Sequence, residues 1–108
     1  MFINDVLEAV KKNGHYVKNM YFLTPTNQKS FYEKARVFIF SDDSEILVSY
    51  DTAVIFKNPD GELMKLWSEE SESRESVKLL TSATTCRHVM AYCGLNKKDY
   101  KNLPTVHK

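Results

Sequence analysis

A chain of 108 residues, 43% apolar and 27% charged, has the size of one soluble domain, able to bury roughly 60 to 70% of its unfolded surface without staples. Fifteen basic against fourteen acidic side chains leave a net charge of +1. That balance excludes the global basic excess of a typical nucleic-acid binder and the acidic excess of a DNA mimic, leaving only local patches to carry such roles.

In Met1 to Lys12, Asp5 and Glu8 interrupt what would have to be a continuous apolar run in a secretory signal, so none is expected. Ile3, Val6, Leu7 and Val10 recur at helical spacing, and Gly14 follows as a left-handed stop, which predicts a short amphipathic helix. Tyr16 to Leu23 is aromatic and β-branched and predicts a strand, broken by Thr24-Pro25-Thr26-Asn27. From Ser30 to Phe40 the start is ambiguous, and strand is expected from about Tyr32 onward. Ser41-Asp42-Asp43-Ser44 is a polar turn, so its flanks should form a hairpin.

The stretch from Ile46 to Trp67 organises the rest. Ile46, Val48 and Tyr50 should face one way and Leu47 and Ser49 the other, with Asp51 marking a bend. Beyond it Thr52, Val54 and Phe56 alternate against Ala53 and Ile55. Asn58-Pro59-Asp60-Gly61 predicts a turn, since Pro59 presets its backbone and Gly61 accepts a positive φ; Leu63, Met64, Leu66 and Trp67 close a second hairpin.

Ser68 to Ser76 is polar and acidic and reads as an exposed loop, with Val77, Leu79 and Leu80 expected to add a short strand. Ser82 offers an N-cap hydroxyl to a helix ending at Gly94, whose stripe of Cys86, Val89, Met90 and Cys93 should dock on the sheet. Asn96 caps a last short helix before Pro104. The expected fold is a single α+β domain over residues 1–108: a mainly antiparallel sheet of four to five strands, with an N-terminal and a C-terminal helix packed on it.

No sequence pattern amounts to a catalytic or metal centre, and no cofactor is expected. Cys86 and Cys93 lie seven positions apart on one helix, a rise of about 10 Å, beyond the roughly 7 Å that a disulfide bridges. They are expected to be free thiols in a reducing cytoplasm. No run is long enough to span a bilayer, so no membrane role is expected. At the start of the Ser82 helix, Thr84, Thr85, Arg87 and His88 gather hydroxyls, amides, a guanidinium and an imidazole, which either hold an anion or simply cap the helix with His88 in water. His88 and Tyr92, one turn apart, share a face. Lys34 and Arg36 with Tyr50 and Thr52 form a second candidate surface; it either stacks bases as single-strand binders do, or its rings fill a helix-covered sheet.

Three pieces carry a resemblance: Ser30-Phe31-Tyr32-Glu33-Lys34-Ala35, Ser49-Tyr50-Asp51-Thr52-Ala53-Val54, and Ser82-Ala83-Thr84-Thr85-Cys86-Arg87-His88-Val89. In order and spacing this pattern resembles a family of small proteins from Gram-positive bacteria, their phages and plasmids. The resemblance spans Ser30 to Gly94. It implies a mobile-element accessory protein that occupies and inhibits a host protein without catalysis, in the manner of inhibitors of CRISPR nucleases and other defence components. Such a role asks only for a rigid surface with a few anchors, for which Tyr50, Tyr92 and Arg87 are the first choices. The alternatives are a nucleic-acid-binding accessory protein using Lys34, Arg36, Tyr50 and Arg87, and an enzyme acting on a phosphorylated ligand at the Ser82 helix start.

Overall fold

Alternating apolar residues in the middle of the chain form a ladder of short strands with a separate apolar layer on each face. The computed structural model describes residues 3–23, 34–67 and 73–105. Among these, the order is α1 (Ile3–Lys12), β1 (Val17–Phe22), β2 (Ala35–Phe40), β3 (Glu45–Ser49), β4 (Thr52–Lys57), β5 (Leu63–Lys65), α2 (Arg74–Leu80), α3 (Ala83–Cys93) and α4 (Lys97–Lys101). The strands form one antiparallel sheet in sequence order, β1-β2-β3-β4-β5, so the expected α+β architecture is present with five strands. The expected start of β2 near Tyr32 and the Ser68 to Glu72 part of the expected Ser68 to Ser76 loop lie outside the described residues; Arg74 to Ser76, expected in that loop, instead begin α2.

Each face of the sheet is covered. On one, α1 lays Ile3 and Val6 against Phe38, Phe40, Ile46, Val48 and Ala53. On the other, α2, α3 and α4 cover Val37, Leu47, Val54 and Ile55 with Leu80, Val89 and Tyr100, and Trp67 is enclosed with them. Trp67, Tyr100 and Phe40 are each about 1% exposed or less, and burying one such side chain stabilises the fold by about 1.5–3 kcal/mol. Trp67 donates its indole N–H to Tyr100 Oη at 2.5 Å, and that hydroxyl donates to the Val54 carbonyl at 3.3 Å. These bonds satisfy the two polar tips that the aromatic core carries inward.

Local signals place most boundaries. Gly14 (φ 80), Gly61 (φ 90) and Gly94 (φ 74) take the left-handed conformations their stops require. Ser82 Oγ accepts from Thr85 N at 3.3 Å and Asn96 Oδ1 from Asp99 N at 2.8 Å, capping α3 and α4.

Four expectations are corrected. Val77, Leu79 and Leu80 belong to helix α2, which starts at an N-cap made by Ser73, because that cap and the inward pair Val77 and Leu80 suit a helical turn. Tyr50 and Asp51 are not a bent strand but the turn between β3 and β4, with Ser49 paired to Thr52. A register irregularity between Leu47 and Val48 breaks the predicted alternation in β4, so Val54 and Ile55 both join the α3 side. The docked face of α3 is also rotated: Thr85, His88 and Val89 are buried, whereas Met90 is 49% exposed and Cys86 and Cys93 are half-buried.

Candidate functional site

The β3–β4 turn has two residues, and such a turn needs positive φ at its first position, normally supplied by glycine, asparagine or aspartate. Here Tyr50 takes it, at φ 58. A bulky residue in this region costs of order 1–3 kcal/mol and persists only when its surroundings over-determine it. They do: Tyr50 N donates to Lys34 O at 2.7 Å, and Arg36 Nη2 donates to Tyr50 O at 2.8 Å and to Asp51 Oδ1 at 3.3 Å. Ile3 N, at the head of α1, donates to Asp51 O at 2.9 Å. The Tyr50 ring is left 49% exposed at the tip of the turn.

Beneath this tip lies a buried polar chain. Ser49 Oγ is 2.8 Å from His88 Nδ1 and 3.2 Å from Thr85 Oγ1. Ser82 Oγ donates to Thr85 Oγ1 at 3.2 Å, and Thr85 Oγ1 reaches the Leu79 carbonyl at 3.3 Å. Ser49, Thr85 and His88 are 3%, 4% and 1% exposed, so each hydroxyl and the imidazole depend on partners within the protein for what water would otherwise provide. Burial pulls the His88 pKa below its ordinary value, keeping the ring neutral. The His88 ring lies 6.0 Å from that of Tyr50, tilted by 46°. The expectation that His88 points to water is therefore corrected: its polar tip has a partner contributed by β3, and that partner draws it inward.

The structure brings Arg36, Tyr50, Thr85 and His88 together, Lys34 joining them through its backbone carbonyl, with Thr52 opposite Ser49 across the turn. Apart from Arg36, these residues come from the three stretches that carry the sequence resemblance. Tyr92 is apart: it donates from Oη to Glu45 Oε1 at 3.0 Å, at the opposite end of β3, and burial with the Glu45 charge pushes its pKa well up. Thr84 is half-buried and Arg87 exposed on α3. Ser49 and Asp51 were not singled out from sequence as site residues, whereas Ser82 was, as the start of the candidate helix. A usable signal was the four-residue gap Ser49 to Thr52 between the apolar runs Ile46–Val48 and Ala53–Phe56, which is the length of a β-turn.

Chemically, the cluster offers a pre-shaped surface. The Ser49 and His88 side chains that make the pair are almost fully enclosed, at 3% and 1% exposed. Burial also raises the Cys86 and Cys93 pKa values, disfavouring thiolates. Among the described residues no three His, Cys, Asp or Glu side chains cluster as a metal site would require, and no helix is long and apolar enough to cross a membrane.

The sequence model of one protein family matches residues 21–104, and its description is a family of unknown function (DUF8033). The matched stretch contains β2 to β5 and α2 to α4, and so the whole Tyr50 cluster. No curated protein and no solved structure matches the chain.

Proposed function

The chain belongs to the DUF8033 family of unknown function, and we propose that it is a non-catalytic binding module that recognises a protein partner through the Tyr50 turn. The observation that carries this reading is the strained, half-exposed tyrosine held over a fully bonded polar chain. An aromatic anchor fixed before binding loses little further entropy on docking. Arg36 beside it is compensated by Asp51 at 3.3 Å, which suits the polar rim of a protein interface better than a phosphate track. The exposed Lys34 beside Arg36 favours the second reading, a nucleic-acid contact.

The finer proposal rests on the sequence resemblance. The partner is a host protein of bacterial defence, such as a CRISPR nuclease, and the chain is a phage- or plasmid-borne inhibitor acting stoichiometrically in the host cytoplasm.

The test is capture from a Gram-positive host lysate by wild type and by Tyr50→Gly. Glycine relieves the strained φ but loses the ring and some chain entropy, so stability should stay within about 1 kcal/mol of wild type. The expected result is a protein retained through nuclease treatment and high salt by wild type and lost by the variant. Loss of all bound material on adding salt favours nucleic acid, whose affinity falls with ionic strength; equal capture by Tyr50→Gly ends the assignment of the site.

A further inference from the structure

The two edges of the sheet are treated differently. β5 is three residues long, and its Lys65 amide donates to Pro104 O at 2.8 Å while Lys65 and Thr105 form a parallel bridge. The C-terminal segment thus covers that edge at Lys65. β1 at the other edge has six residues, all exposed. Met20 (38%) and Phe22 (44%) flank Arg36 and Phe38 on the α1 face, and Tyr21 (41%) lies on the α3 face. An edge strand apolar on both faces is a template for a further strand.

Backbone directions define which groups are available. Leu23 N donates to Ala35 O at 2.8 Å, so by alternation Tyr21 turns its amide toward β2 while Met20 and Phe22 turn theirs outward. Met20 N agrees, being held by the neighbouring Asn19 Oδ1 at 2.9 Å. A bulge between Val17 and Asn19 ends the regular ladder on one side, leaving Met20 to Phe22 as the pairing segment.

The geometry points to a second copy of this chain as the occupant, its β1 antiparallel to the first about a two-fold axis through Tyr21. Met20 then faces Phe22 of the second copy, and once each Met20 amide leaves Asn19 Oδ1 the two pairs exchange four backbone hydrogen bonds. The Met20 thioether meets that phenyl ring on one face, and the two Tyr21 rings meet on the other. The single charge of β1, Lys18, is bound by Asp43 and lies outside the paired segment, so no like charges oppose one another. Three side chains about two-fifths exposed contribute with their backbone roughly 300 Å² per copy, well under the roughly 800 Å² of a stable interface. The dimer is therefore reversible. It also closes at two copies, because the remaining edges are the covered ones.

Sedimentation of the full chain over a concentration series should show a monomer–dimer equilibrium with a midpoint in roughly the micromolar to sub-millimolar range. Met20→Pro removes an amide that β2 does not use, so the fold tolerates it as edge strands tolerate proline, and the midpoint should rise by about thirtyfold or more. Tyr21→Cys places two thiols at the axis, with Cα atoms about 4.5 Å apart and within disulfide range. Mild oxidation should convert it to a reducible covalent dimer faster than Val17→Cys or wild type. A wild type that stays monomeric, a dimer unaffected by Met20→Pro, or Tyr21→Cys cross-linking no faster than Val17→Cys overturns the proposal.

Discussion

Ser49→Ala deletes one hydroxyl, and two closely matched sites in the same molecule allow its cost to be worked out. Ser49 Oγ contacts His88 Nδ1 at 2.8 Å and Thr85 Oγ1 at 3.2 Å. Thr85 keeps Ser82 Oγ and the Leu79 carbonyl, so the loss falls mainly on the buried imidazole. Removing one partner from a buried polar group costs about 1–3 kcal/mol, and about 2 kcal/mol is expected here. In a domain of this size that lowers Tm by about 8–15 °C. Ser41 supplies the control: its Oγ is 3.2 Å from His15 Nδ1 and accepts from Tyr16 N at 3.3 Å, similar bonds made where water can replace them. Ser41→Ala should cost about 0.5 kcal/mol or less. Urea denaturation of both variants beside wild type, with midpoints compared at unchanged slope, measures the difference. Equal costs would refute the reasoning, because burial would then not be what gives the Ser49 bonds their weight.

Two further outcomes follow from other buried groups. Because burial depresses the His88 pKa in the fold, the unfolded chain binds a proton near its ordinary value of about 6.5 while the folded chain does not. Stability should therefore be complete above that value and fall as pH drops through it toward the depressed folded value, and His88→Gln should flatten the curve there; a wild-type curve already flat across that window contradicts the assignment. Tyr100→Phe leaves the Trp67 indole N–H without its acceptor in a site where both rings are about 1% exposed or less, at a cost of about 1–3 kcal/mol. The single tryptophan reports the unfolding directly by fluorescence, and a loss below about 0.5 kcal/mol would show the bond to be dispensable.

How legible the molecule was depended on the range of the interactions involved. Helix α1 could be read from Ile3, Val6, Leu7, Val10 and Gly14 because its period and its stop lie within a dozen residues. The turn at Asn58 to Gly61 and the caps at Ser82 and Asn96 were equally local. Helix α2 was not legible, since Val77, Leu79 and Leu80 fit a strand as well as a helix and the Ser73 cap tips the balance only when Leu80 and Val77 have a core to enter. The buried face of α3 was misread for a related reason. Thr85 and His88 count as solvent-facing in any hydropathy pattern, yet they displace Met90 from the interface, a turn of about 100° for each residue of shift.

The candidate site shows the same division. Lys34, Arg36, Tyr50, Thr85 and His88 were all named from sequence, but the first three and the last two as separate surfaces, with Arg87 offered to both and Tyr92 to the second. Ser49 joins the two, and its role depends on a helix 36 and 39 positions further along the chain.

What the sequence by itself determined is α1, the strands, the turn at Asn58 to Gly61 and the caps at Ser82 and Asn96, because capping, turn chemistry and amphipathic spacing are short-range energies carried by neighbouring residues. The tertiary structure alone decided which polar side chains went inside and that a tyrosine would hold a left-handed turn. Both conditions persist only because hydrogen bonds from β2, α1 and α3 offset desolvation and backbone strain, and those partners become neighbours only after the sheet and helices have come together.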